Sequence, residues 1–366
     1  MLKELKLSAI IIILMLNGFI LQINKVNAQT SFEYHDAREF LIIGRAFQNS
    51  GYSRLPLSYK EKLRPEVWNL SLHSSGIAIR FTTNSSTIDL KWKTGNNTHF
   101  PHAAETLIKG VDLYCMQNGK WFFAGVGKPY DPEYNQYTLV KGMDTTMKEF
   151  MLYLPMYETV DSIFIGIEPG AEIRKPLKSG FRNLKPIVFY GTSITQGASA
   201  MRPGMAYTSL IERHLNIETI NLGFSGNGKL ENELAGIMAN IDASCYVIDC
   251  GGNLTPALAL ERTMPFIKYL RQRTPTVPIL LVENLFFTHG RFNKSIWPSI
   301  DSINVAFKDA FTTLKKEGMK DLYYLPAEKL IGSDGEGTVD GAHLTDVGFM
   351  RIADEMEEQL RKILKL

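Results

Sequence analysis

The chain has 366 residues, 45% hydrophobic and 21% charged, with 40 Lys plus Arg against 38 Asp plus Glu. This composition excludes a collagen, a coiled coil and a wholly disordered chain, and at ~100–200 residues per domain it predicts two domains. Residues 1–28 carry three lysines and one glutamate, so the remainder has balanced charge and lacks the basic footprint that nucleic acid or an anionic membrane would need.

Lys3 and Lys6 precede a mostly apolar run from Leu7 to Leu21, and Val26-Asn27-Ala28 sets Val and Ala at −3 and −1 of a cut before Gln29. This is the anatomy of a secretory signal peptide over 1–28, and it predicts an exported protein, periplasmic or secreted. The run is shorter than the ~20 residues a spanning helix needs. A retained anchor is the alternative. Gln29 rather than a cysteine stands immediately after the cut, which argues against a lipoprotein, and no later stretch is apolar enough to span a bilayer.

From 29 to 184 the chain reads as β. Short apolar or alternating runs recur at Ile77–Thr82, Thr87–Trp92, Gly110–Gln117, Trp121–Val126, Gln136–Val140, Lys148–Leu154 and Asp161–Ile167. Turn formers separate them, and Asn118-Gly119 between two such runs is a hairpin signal. Many short strands with turns between them predict a β-sandwich, jelly-roll-like in style. Its exposed-aromatic candidates for a glycan platform are Trp92, Trp121 and Tyr130, although most such rings are core.

After Pro186 strand and helix alternate. Strands are predicted at Ile187–Tyr190, Glu218–Leu222, Cys245–Asp249, Pro278–Val282 and Leu322–Leu325. Helices are predicted at Tyr207–Leu215, Leu230–Asn240, Leu258–Arg273, Ser299–Glu317 and Asp346–Ile363. Apolar strands alternating with helices make a parallel sheet covered on both faces, whose sites open at the carboxyl edge.

Four segments at that edge carry chemistry. Gly191-Thr192-Ser193-Ile194-Thr195 puts a serine just past an apolar strand at a helix N-terminus, where negative charge is favoured. Gly223 to Lys229 fits the G-x-x-x-x-G-K part of a phosphate loop, but Leu230 stands where Ser or Thr should hold magnesium. The better use of Gly226 is a backbone N–H aimed at an oxyanion. Asn253, in Gly251-Gly252-Asn253, offers an uncharged amide donor. Asp340 and His343 lie three residues apart on one turn, which suits a general base and its orienter.

Together these blocks resemble the SGNH (GDSL-type) hydrolase family, with Leu254 replacing the Asp that usually follows the third block's Asn. Gly110-Val111-Asp112-Leu113-Tyr114 resembles the G-x-D-L-Y segment of a β-domain fused to such enzymes. The resemblance implies a flavodoxin-like α/β/α hydrolase domain over 185–366. It also implies ester hydrolysis through an acyl-enzyme, with catalytic residues Ser193, Asp340 and His343 and an oxyanion hole from Ser193, Gly226 and Asn253. No metal or organic cofactor is called for. The expected substrate is a small-molecule or polysaccharide ester, foremost an O-acetylated carbohydrate. A lipid or thioester acylhydrolase and a non-catalytic glycan-binding protein are the alternatives.

Three further readings stand beside this one. Asp249 and Glu283, both at strand ends, are the carboxylate pair a glycosidase would use, but they read foremost as hydrogen-bonded strand-end carboxylates. His99 and His102 are a candidate metal pair, but with no third partner they read as loop residues. Cys115, Cys245 and Cys250 do not make a disulfide framework and read as buried thiols, the last two on opposite faces of a strand.

Overall fold

The computed structural model describes residues 31–176 and 181–366. The candidate signal peptide lies outside the described residues. Among them, no helix is long and apolar enough to cross a membrane.

Among the described residues ten strands precede the hydrolase-like part: β1 (Glu33–Asp36), β2 (Leu41–Ile43), β3 (Ala78–Thr83), β4 (Ile88–Thr94), β5 (Val111–Gln117), β6 (Lys120–Gly127), β7 (Tyr134–Val140), β8 (Lys148–Tyr153), β9 (Val160–Ile167) and β10 (Ile173–Arg174). They form two antiparallel sheets, ordered β1-β9-β4-β7 and β10-β3-β8-β5-β6, with β2 added on β3. Alternate residues, among them Ile79, Phe81, Leu90, Leu113, Leu152 and Ile163, fill the space between the sheets. Asn118 and Gly119 turn the β5–β6 hairpin with φ of 50° and 78°, the doubly positive pair such a tight turn requires.

The second sheet is covered on its outer face as well. Ala78, Tyr114, Met151 and Tyr153 are buried there beneath the C-terminal part, so β3 and most of β8 are buried on both faces rather than on alternate residues.

The C-terminal sheet is parallel, with strands β11 (Ile187–Gly191), β12 (Thr219–Gly223), β13 (Cys245–Asp249), β14 (Ile279–Val282) and β15 (Leu322–Leu325) in the order β12-β11-β13-β14-β15. Every residue of β11 is buried. Ile187 and Phe189 pack in the layer under helices Tyr207–Leu215 and Asp346–Leu364. Val188 and Tyr190 pack in the opposite layer, with helices Asn232–Met238, Pro256–Arg273 and Ile296–Lys316. The three cysteines are free and buried, with Cys245 in the first layer and Cys250 in the second.

Two stretches of the fold were not foreseen. Strands β1, β2 and β10 are short, and β1 is polar, so they carry no alternating signal. Residues 45–72 fold into a 3₁₀ turn at Leu57–Lys62 and a helix at Pro65–Ser71, and Leu55, Val67 and Trp68 join the core of the parallel sheet rather than that of the sandwich. Arg54 pins this segment in place. Its buried guanidinium donates to the carbonyls of His73 (3.2 Å), Leu70 (2.5 Å), Asn221 (3.3 Å) and Gly223 and lies 4.8 Å from the centre of the Phe224 ring. Burial lowers its pKa to about 9, so it remains a cation at neutral pH.

The G-x-D-L-Y segment is a second fastener. Asp112, fully buried, accepts from Arg202 (2.6 Å) and from the backbone N–H of Gly204 (3.0 Å). The Tyr114 hydroxyl also bonds Arg202, and Arg213 lies 3.9 Å from the centre of the Tyr114 ring. Gly110 has no room for a side chain, since an added Cβ would meet Thr106 O at 2.5 Å and Gly127 O at 2.8 Å.

Candidate active site

The turn after β11 becomes a single helical turn, Ser193–Gln196, capped by Thr192, whose hydroxyl accepts the Ile194 N–H at 3.2 Å. Thr195 folds back, its hydroxyl accepting the Thr192 N–H (3.1 Å) and donating to Asp249 (3.0 Å). Tyr207 donates to the same carboxylate oxygen at 2.9 Å. Asp249 therefore braces the turn that carries Ser193, and burial raises its pKa to about 7 despite those two hydrogen bonds. Glu283 accepts from Tyr324 and from the Ala327 N–H (2.8 Å). Each carboxylate is thus a hydrogen-bonded strand-end acceptor turned toward its own neighbours, as the sequence reading favours over a glycosidase pair.

Ser193 sits at the first helical position, where a backbone N–H has no partner within the helix. Its Oγ is 3.0 Å from His343 Nε2. His343 Nδ1 is 2.7 Å from Asp340 Oδ2, while Asp340 Oδ1 accepts the N–H groups of Ala342 (3.0 Å) and His343 (2.8 Å). One carboxylate thus folds its own turn with one oxygen and orients the imidazole with the other. Partial burial works against the charged form of Asp340. The hydrogen bonds from His343 and from the two backbone N–H groups outweigh it and hold the pKa at about 2. The bond from Val339 N–H to His343 O (2.8 Å) closes the turn, and Thr345 caps the last helix, its hydroxyl accepting the Gly348 N–H at 3.2 Å.

The second block, Phe224 to Gly228, is folded against the first. The Phe224 N–H bonds Gly191 O at 3.0 Å, and Gln196 Oε1 accepts the Ser225 N–H at 3.0 Å. Gly223 lets β12 approach the Ser193 helix, because an added Cβ would strike Gln196 N. Gly228 would likewise strike Gly191 O. The glycines of the phosphate-loop look-alike thus serve close packing. Gly226 has φ +69°, a conformation that favours glycine, with open space where a side chain would stand. Asn253 ends a 3₁₀ turn after β13, its amide donating to Phe224 O at 3.2 Å and so tying the second and third blocks together.

Several residues at this site were invisible to sequence spacing. His102, from the loop after β4, does not pair with His99, which instead meets Glu105 at 2.7 Å. Its ring stacks on His343, with centroids 4.8 Å apart and planes 17° apart. Tyr157 donates to Ser193 O at 3.3 Å. His102, Asp340 and His343 hold their ligand atoms within 4.8 Å of one another, and His214, Asp354 and Glu357 do the same on the surface; either trio offers N and O donors to a cation. Of the glycan-platform candidates, Trp92 is a core residue, 2% exposed, with its ring N–H on Lys109 O at 2.9 Å. Trp121 is half-buried, its ring 5.3 Å from Arg80, and only Tyr130 is well exposed, at 72%.

The family model for the GDSL-like lipase/acylhydrolase family matches residues 184–361, and the model for the N-terminus of SGNH-hydrolase-type esterases matches 32–173. No curated protein matches. Among solved structures, a GDSL-like lipase of Bacteroides ovatus is similar with 39% identity and a TM-score of 0.88 over 92% of this chain and 98% of that one. The salicylyl-acyltransferase SsfX3 of a tetracycline biosynthetic pathway shares the fold at 16% identity and a TM-score of 0.74, over 92% and 98%. So does the acetyl xylan esterase Est2A of the rumen bacterium Butyrivibrio proteoclasticus, at 14% identity and 0.56, over 91% and 99%. The chain belongs to the GDSL-type SGNH hydrolases, carrying the GxDLY-type domain at its N-terminal side.

Proposed function

We propose that the protein is a serine esterase acting through an acyl-enzyme. The observation that carries this is the continuous hydrogen-bonded line from Ser193 Oγ through His343 to Asp340, at 3.0 and 2.7 Å. His343 Nε2 takes the Ser193 proton as Oγ bonds to the acyl carbon. The carbonyl oxygen becomes an oxyanion facing the N–H groups of Ser193 and Gly226 and the amide of Asn253. The C–O bond to the alcohol then breaks, and that oxygen takes the proton from His343. Water repeats the sequence on the acyl-enzyme and frees the acid. Asp340, ionised across the working pH range, fixes the tautomer and stabilises the imidazolium.

The substrate we propose is an O-acetylated carbohydrate. Its support is the export anatomy of residues 1–28 together with an accessory β-domain, which we assign to 29–184 ahead of a catalytic domain at 185–366. Acetate release from a panel of acetylated glycans, against a long-chain acyl ester and an acyl thioester, tests it. Acetate release with little turnover of the other two is expected; the reverse preference would make the protein a lipid or thioester acylhydrolase. N-terminal sequencing of the secreted form should begin at Gln29.

A further inference from the structure

The loop of residues 95–104 belongs by sequence to the sandwich but ends on the hydrolase machinery. Its base is held by Glu158, a fully buried carboxylate whose oxygens accept the N–H groups of Asn96 (2.7 Å) and Thr98. Lys109 adds a bond to Asn97 Oδ1 at 2.7 Å. Farther along, Phe100 and Ala103 pack on the core beneath the parallel sheet. Phe100 meets Tyr157 edge-on at 5.1 Å, and Tyr157 bonds Ser193 O. At the tip His102 lies nearly parallel to His343.

His343 needs this support. Its side chain is about one-quarter exposed, and it stands on a turn rather than on a strand or helix. The bonds to Ser193 and Asp340 lie at the edge of the imidazole and fix two points on it. They leave the ring free to rock about the line joining them. A second ring on its face removes that freedom.

We propose that His102 is a positioning residue for His343, and that Glu158 acts on the reaction through it by holding the loop. This rests on the reading of His343 as the general base. The β-domain would then be part of the catalytic apparatus and not only an accessory. Stacked rings of this geometry contribute enough to account for a loss of about five- to tenfold in rate.

The test is kinetic. His102→Ala should lower kcat about five- to tenfold with KM nearly unchanged, and should slow labelling of Ser193 by a fluorophosphonate to the same degree. His102→Phe keeps a planar ring and should restore most of both. Glu158→Gln replaces one acceptor by a donor, so one loop N–H is released; it should lower kcat in the same sense. The double variant should be no slower than the slower single variant, because the two act through one contact. Thermal melting of each variant confirms that the compared enzymes are folded. Wild-type kcat in folded His102→Ala, failure of Phe to restore it, or additive losses in the double variant would each overturn the proposal. Ser193→Ala and His343→Ala, assayed alongside, keep the two readings apart: turnover by either undermines the base assignment itself, whereas inactivity of both with normal His102→Ala overturns the clamp alone.

Discussion

The carboxyl edge of the parallel sheet and the seam between sandwich and hydrolase both position groups of the candidate active site, but by different means. At the edge, backbone does the placing: Ser193, Gly226 and Asn253 each follow a strand directly, and the sheet sets their spacing. At the seam, side chains do it: His102 reaches His343 and Tyr157 reaches Ser193 O, while Asp112 fastens the seam itself through Arg202 and Gly204. Groups of the first kind should be brittle, since in the proposed mechanism they meet the reacting atoms directly. Those of the second kind should be graded, since each contact shares its task with others.

Four measurements break or sharpen that contrast. The largest effect belongs to the edge: Ser193→Ala should reduce ester turnover by about 10⁴-fold or more while the melting temperature stays near wild type. A folded variant that still turns over would remove serine from the mechanism. Next, Asn253→Ala should lower kcat by about 10²–10³-fold and change KM much less, because its amide is better matched to the oxyanion than to the ground-state carbonyl. A raised KM with intact kcat would recast Asn253 as a substrate contact.

At the seam, Asp112→Ala leaves Arg202 without its carboxylate and the Gly204 N–H without an acceptor. A stability loss of about 3 kcal/mol is expected in urea titration, with kcat of the folded protein little changed at low temperature. A loss below ~0.5 kcal/mol would mean that the pair adds nothing measurable.

The smallest effect is a pH dependence. Burial raises Asp249 to about 7 in the folded protein, against ~3.9 for an unfolded Asp. Between those values the folded state holds the proton more tightly. The stabilisation from this group is therefore complete below pH ~4, declines as pH rises, and is gone above about 7. Asp249→Asn should flatten the unfolding free energy across that window. Glu212, raised to about 7 by burial as well, should keep part of the slope. Identical slopes in the two proteins would show that Asp249 does not titrate there.

The same contrast explains what the sequence disclosed. The five parallel strands, the helices between them and the four blocks that form the candidate site were legible because each is local: an apolar run, then a turn of recognisable residue types. Asp340 and His343 share one turn, so their pairing needed no tertiary knowledge. His102 looked like an ordinary loop residue because its partner lies in the last segment of the chain. Trp92 shares a face of β4 with Ile88 and Leu90, opposite Asp89, Lys91 and Lys93, so the alternation itself pointed to the core where the ring is found. The 45–72 segment was unreadable because Leu55, Val67 and Trp68 satisfy a core built by residues far downstream.

Arg54 bears on how the molecule comes apart. Its guanidinium spends its donors on four carbonyls, two of them at the end of β12, in a site closed to water. Lifting this segment off the parallel sheet would strand those carbonyls and the cation at once. Heating should therefore release residues 45–72 only together with the parallel sheet, with no temperature at which the segment is loose on an intact sheet.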